Sequence, residues 1–167
     1  DLRVGIGDDC AVLRTQPAEE IVVTTDLSIE RVHFRRDWHS PESAGHRCLA
    51  RGLSDLAAMG ARPVAAFVSL AIPAVLSRGR RSWLTRFYDG LLKLAGECEV
   101  PLAGGDLAQA PELVTADIVL IGAVRRGKAL LRSGARAGDA VYVTGALGGA
   151  AAELLAMERL VRQIGQQ

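Results

Sequence analysis

The chain has 167 residues, 49% of them hydrophobic and 23% charged, with a formal net charge of +1. This is enough for one well-cored domain and too apolar for disorder, and the arginines (Arg35-Arg36, Arg78 with Arg80-Arg81, Arg125-Arg126) are too scattered to form a nucleic-acid-binding stripe. Cys10, Cys48 and Cys98 show no CxxC spacing and read as reduced thiols of a cytoplasmic protein; no apolar run reaches membrane-spanning length, and no secretory leader is visible in a chain that begins at Asp1 without methionine.

Near the start, Gly5-Ile6-Gly7-Asp8-Asp9 sets two adjacent carboxylates behind a pair of glycines. Like charges held side by side repel, so such a pair is solvated, paired with basic groups, or used to hold a divalent cation. Residues 10–13 read as a short strand and 20–26 as a stronger, β-branched one with Asp26 at its end; residues 27–34 continue extended. Ser40 followed by Pro41 is an N-cap with proline in the first turn of a helix that runs to about Met59 and is closed by Gly60 and Pro63. Residues 64–72 are almost continuously apolar, which suits a strand buried on both faces or one at a subunit interface.

Trp83, Phe87, Leu91, Leu94 and Ala95 recur at helical spacing and belong to a core-facing stripe over 78–98, with Tyr88 off that stripe. Gly104-Gly105-Asp106 reads as a glycine turn, residues 113–124 as a strand interrupted at Asp117, and residues 125–128 as a turn. At Arg132 the character changes. A polar, Gly-rich connection, a short strand over 140–144 and a helix from about Gly145 to Gln163 look like the start of a second domain, too small to close a core of its own. The predicted fold is α/β of the α+β type, a mixed sheet covered on one face by helices, in two domains, 1–131 and 132–167. One layer of helices covers one side of strands apolar on both, so a homodimer is expected.

Asp9, Asp26, Asp55 and Asp106 each stand beside an apolar run. Converging, they would make an open, oxygen-rich magnesium site that serves phosphates; taken singly, they are a solvated turn, a helix-end charge and an aspartate turn. Asp55, between Leu53 and Leu56, would be costly to bury unpaired. His33 stands alone in an extended Val-His-Phe run, and His39 and His46 show no metal spacing. Neither a GxxxxGK[ST] loop nor a GxGxxG fingerprint occurs.

GIGDDCAVL, TTDLSIERVHF, GLSDLAAMGARP, AGGD and RSGARAGDAVYVTGALG, in this order, closely resemble the thiamine-monophosphate kinase family, within the superfamily that includes aminoimidazole ribonucleotide synthetase. The resemblance implies phosphorylation of thiamine monophosphate by ATP, with several magnesium ions, no catalytic side chain and no phosphoenzyme. It implies metal ligands at Asp9, Thr24, Thr25, Asp26, Asp55 and Asp106, ATP contacts at Tyr88, Gly105, Asp106 and Arg132, and a thiamine monophosphate contact at His33. It also implies a homodimer whose strands pair into a barrel, with no nucleic-acid or membrane partner. The family's carboxy-terminal SDGL-type and GGEDYE-type motifs do not occur in these residues. Arg31, Gly52 and Leu107 depart from its pattern where glycine, asparagine and threonine are usual. Sister readings are another ATP-dependent synthetase of the superfamily, such as selenophosphate synthetase or a hydrogenase-maturation factor, or a dimerising module that holds metal-nucleotide without turnover.

Overall fold

A computed structural model of the chain describes residues 2–6, 10, 12–143 and 145–164. The chain divides into two compact units, 1–131 and 132–167.

In the first unit, β1 (Leu2–Val4) and β2 (Val12–Leu13) form a small antiparallel ribbon. β3 (Glu19–Ile29), β4 (Arg62–Ile72), β5 (Leu102–Gln109) and β6 (Thr115–Arg125) form a sheet in the order β3-β6-β4-β5, so that β3 and β5 are its edges. Only β4 and β5 run parallel, because the helix α2 (Trp83–Glu97) carries the chain back between them; the other pairs are antiparallel.

The helix α1 (Pro41–Ala58) begins where the sequence places it: the Ser40 hydroxyl accepts the Ser43 N–H, Pro41 fills the first turn, and Gly60 follows the last turn at φ +67°. It lies on β3 and β6, and α2 packs on α1. That second contact is close. A Cβ on Gly45 would sit 1.9 Å from the Phe87 carbonyl oxygen, and one on Gly90 2.0 Å from that of Glu42. The core between helices and sheet holds Leu49, Leu56, Val68, Leu70, Phe87, Leu91, Val114, Ile118 and Leu120, all fully buried. Phe34, Trp83, Phe87 and Tyr88 form an aromatic ladder with successive centroids 6.4, 5.3 and 5.7 Å apart, its last step edge-on.

Several expectations need correction. The strand expected to continue to residue 34 stops at Ile29; a turn with Arg31 at φ +68° folds Phe34 back to bridge Glu30. Asp117 does not interrupt β6, because strand alternation turns it to the sheet face away from the helices, where its carboxylate stays accessible. Gly104-Gly105-Asp106 is no turn but part of β5. Residues 64–72 lie in an inner strand, and most of their side chains are buried within the chain's own core rather than left open. The uncovered apolar surface is instead the odd-numbered face of β3, where Ile21, Val23 and Leu27 are 46%, 61% and 45% exposed.

The second unit contains a short 3-10 turn at Arg132–Gly134 and the helix α3 (Gly149–Ile164). Residues 140–143 form no strand; Val141 and Tyr142 are almost fully exposed, with no neighbouring strand among the described residues to supply a ladder.

Candidate active site

Strand alternation sorts the residues of β3. Val22, Thr24, Asp26, Ser28 and Glu30 turn toward α1, while Ile21, Val23, Thr25 and Leu27 turn to the opposite face. On the α1 side, the Thr24 hydroxyl donates to Asp55 Oδ2 at 2.6 Å, and Arg51, one helical turn before Asp55, meets Asp26 Oδ1 at 2.5 Å. Arg51 also donates to the Leu27 carbonyl and the Ser28 hydroxyl, each at 3.2 Å. Asp55 is therefore exposed and hydrogen-bonded, not buried within its helix.

Thr24, Asp26 and Asp55 are thus brought together. Thr25 is not: its side chain lies on the other face, with Asp117 Oδ1 at 3.5 Å. Asp9 lies outside the described residues.

Asp106, on β5, pairs with Ser69 of β4; it lies three strands from β3 and one step along from the row that holds Asp26. At about 4.8 Å per strand the two backbone positions are about 14 Å apart across the sheet, whereas oxygens sharing one magnesium lie within about 4 Å of each other. A single site holding Asp26, Asp55 and Asp106 is therefore not formed by one copy of the chain. Among the described residues no group of three His, Cys, Asp or Glu is close enough to hold a metal. The oxygens of Thr24, Asp26 and Asp55 remain a hard-donor set that suits magnesium, with Arg51 supplying the positive charge beside them.

Asp106 belongs to a second feature, a cavity of about 670 Å³ at the β5 edge, lined among others by Tyr88, Phe67, Gly104, Gly105, Asp106 and Ile121. Gly105 has φ +151°, and a Cβ there would sit 1.9 Å from the Val68 carbonyl oxygen, so only glycine lets β5 lie against β4 at this point. The Asp106 carboxylate accepts the Leu107 N–H at 2.9 Å. Tyr88 closes the aromatic ladder, and burial pushes its phenol pKa up. Aromatic and aliphatic walls beside bare glycine backbone and one carboxylate suit a heterocycle with a polar tail. Three of the four expected ATP contacts, Tyr88, Gly105 and Asp106, share this cavity. Arg132 lies in the second unit and is exposed.

His33 sits in the turn after β3. Its Nδ1 accepts the Ile29 N–H at 3.0 Å, and its carbonyl accepts Arg47 at 3.2 Å. The turn is anchored by Glu30, 5% exposed, whose carboxylate accepts Arg36 Nε at 2.6 Å and the Val114 N–H at 2.9 Å. Cys48, beneath α1, is held as a neutral thiol by burial, its pKa pushed up to about 12, which removes it as a nucleophile. Sequence reasoning missed Arg47 and Arg51; their signal is the spacing of four that puts Arg47, Arg51 and Asp55 on one stripe of α1.

These elements make up an α/β domain with a mixed sheet, and residues 7–124 match the family of AIR synthase related proteins, N-terminal domain. The chain belongs to that family. Within it, the chain is similar to thiamine-monophosphate kinase of Bacillus subtilis strain 168, 38% identical over 151 residues that cover 90% of this chain and 46% of the relative. It is also similar to thiamine-monophosphate kinase of Escherichia coli K12, 39% identical over 158 residues that cover 95% and 46%. A solved structure described as AaThiL complexed with AMPPCP and TMP superposes with a TM-score of 0.73 at 34% identity, covering 92% of this chain and 48% of that one. The chain spans about half the length of the curated relatives it matches. No helix among the described residues is long and apolar enough to cross a membrane.

Proposed function

We propose that the complete protein is a thiamine-monophosphate kinase, which transfers the γ-phosphoryl group of ATP to the phosphate of thiamine monophosphate and releases thiamine diphosphate and ADP. The observation that carries this reading is the identity of 38–39% to two such kinases over at least 90% of the chain. The solved neighbour complexed with AMPPCP and TMP supports the same pair of ligands. The cavity at Tyr88, Gly105 and Asp106 takes the nucleotide, Arg132 is assigned to ATP on the motif alone, and His33 contacts thiamine monophosphate. Asp26, Asp55 and Thr24 hold magnesium, with Asp9 assigned on the motif alone and Asp106 beside the nucleotide.

Bound magnesium neutralises phosphate oxygens, which is most of what phosphoryl transfer asks of a protein. The chain's own contribution is positioning. β3 and α1 fix Thr24, Asp26 and Asp55 against each other, and the Gly105 backbone allows close approach at the nucleotide end. The first unit is the metal, nucleotide and dimerisation domain, and the second begins a carboxy-terminal domain. The apolar β3 face supports a homodimer, its strands pairing across the two copies into a barrel. The three free cysteines support a reducing, cytoplasmic setting.

The test is a product assay on the intact protein with ATP, magnesium and thiamine monophosphate. Thiamine diphosphate is the expected product; phosphorylation of a different acceptor, with thiamine monophosphate left untouched, would overturn the reading.

A further inference from the structure

Between the turn after β3 and the exposed side of α1 lies a small cavity of about 90 Å³, lined by Ser28, His33, Phe34, Ala44, Arg47 and Arg51. Its polar lining consists of donors. Arg47 and Arg51 stand one helical turn apart. The Ser28 hydroxyl accepts from Arg51 and shares a hydrogen bond with the Cys48 thiol. Because His33 Nδ1 accepts the Ile29 N–H, the ring proton of the neutral imidazole is assigned to Nε2. Among the described residues no carboxylate lines the cavity.

The charge is not balanced either. Arg51 is answered by Asp26. Arg47 faces His39 Nε2 at 2.9 Å and donates to the His33 carbonyl at 3.2 Å, with no carboxylate within 4 Å among the described residues. An arginine oriented in this way, beside a second one, with donors converging on a space of about three water volumes, suits one tetrahedral oxyanion and is too small for a ring system.

We infer that this cavity binds the phosphate monoester of the acceptor substrate, and that Arg47 is the residue that separates phosphorylated from unphosphorylated acceptor. This rests on the kinase reading for the identity of the acceptor; the anion pocket itself rests on the donor set. Arg51, shared between the pocket wall and Asp26, would hold that phosphate beside the carboxylates assigned to magnesium.

Calorimetric titration of the intact protein with thiamine monophosphate, thiamine and inorganic phosphate tests it, using the parent, Arg47→Gln and Arg47→Lys, each checked for folding by a thermal melt. A charge-assisted contact predicts that Arg47→Gln weakens thiamine monophosphate and inorganic phosphate by about tenfold to a hundredfold while thiamine is unaffected. Arg47→Lys, which keeps the charge and loses the fork, should fall between, and it carries the test if Arg47→Gln does not fold. Unchanged thiamine monophosphate affinity, or equal losses for thiamine and its phosphate as a merely structural tie would give, overturns the pocket and leaves the kinase reading standing. A parent that binds inorganic phosphate through Arg47 but neither binds nor turns over thiamine monophosphate leaves the pocket standing and overturns the kinase reading. A parent that binds no phosphate probe overturns the pocket.

Discussion

Arg31 occupies the left-handed region at φ +68°, where a side chain costs roughly 1 kcal/mol, and its ion pair with Glu112 is largely exposed. Arg31→Gly should therefore raise stability by up to about 1 kcal/mol, read as a higher urea midpoint at unchanged slope. Asp26 poses the opposite problem. Four converging carboxylates would repel, and removing one would relieve the metal-free fold; with Arg51 on Asp26 there is attraction to lose instead. Asp26→Asn should cost about 0–1 kcal/mol in EDTA, since the pair is partly solvated, and should also shrink the rise in melting temperature that millimolar magnesium gives the parent. A full magnesium increment in the variant would remove Asp26 from the ligand set. Cys48 adds a pH dependence. Its thiol ionises near the ordinary value in the unfolded chain but only at about 12 in the folded one, so the fold keeps a proton that the unfolded state loses. That contribution is complete below about pH 8.5 and is lost as pH rises toward 12. Stability measured across this range should fall with pH, and Cys48→Ala should flatten the slope.

At the scale of the elements, the α1–α2 crossing depends on two glycines that face the other helix's backbone. Gly90→Ala would drive a methyl group into the Glu42 carbonyl, so the helices must separate, at about 2 kcal/mol or more. Thermal melts and near-ultraviolet circular dichroism should both register it. Much of the fold was legible in the chain. The Ser40-Pro41 cap, the stripe from Trp83 to Ala95 and the β-branched run before Asp26 all report local physics, and each led to the element observed. Positions decided by tertiary pairing were misread. Gly104-Gly105 resembles a turn until β4 is placed beside it, and Asp117 resembles a break until the sheet offers it an accessible face. The Asp26–Arg51 pair joins a strand to a helix, and no spacing within either element reveals it. Asp55 was singled out for the wrong reason, since its position on the accessible side of α1 spares it the burial cost its neighbours suggest.

For the whole molecule, the uneven treatment of the two sheet faces is the main constraint. One face is sealed by α1 and α2, while the other leaves Ile21, Val23 and Leu27 open beside half-buried Val119 and Ile121. A row of this kind on an edge strand invites pairing with a second copy. The intact protein should sediment as a dimer, and Val23→Glu should shift it to monomer at micromolar concentration while far-ultraviolet circular dichroism stays unchanged. A parent that sediments as a monomer would remove this role from the β3 face.

The aromatic ladder also makes the protein its own optical probe. The chain has two tryptophans. Trp83 is stacked between Phe34, next to His33, and Phe87, next to Tyr88, while Trp38 lies under the Arg35 guanidinium at 4.2 Å. One indole therefore stands between the turn after β3 and the cavity at the β5 edge, and the other lies against Arg35. In these 167 residues with Trp38 replaced by Phe, emission at the red edge of absorption comes from Trp83 alone. Its colour and quenching then follow the ladder's packing without any attached dye.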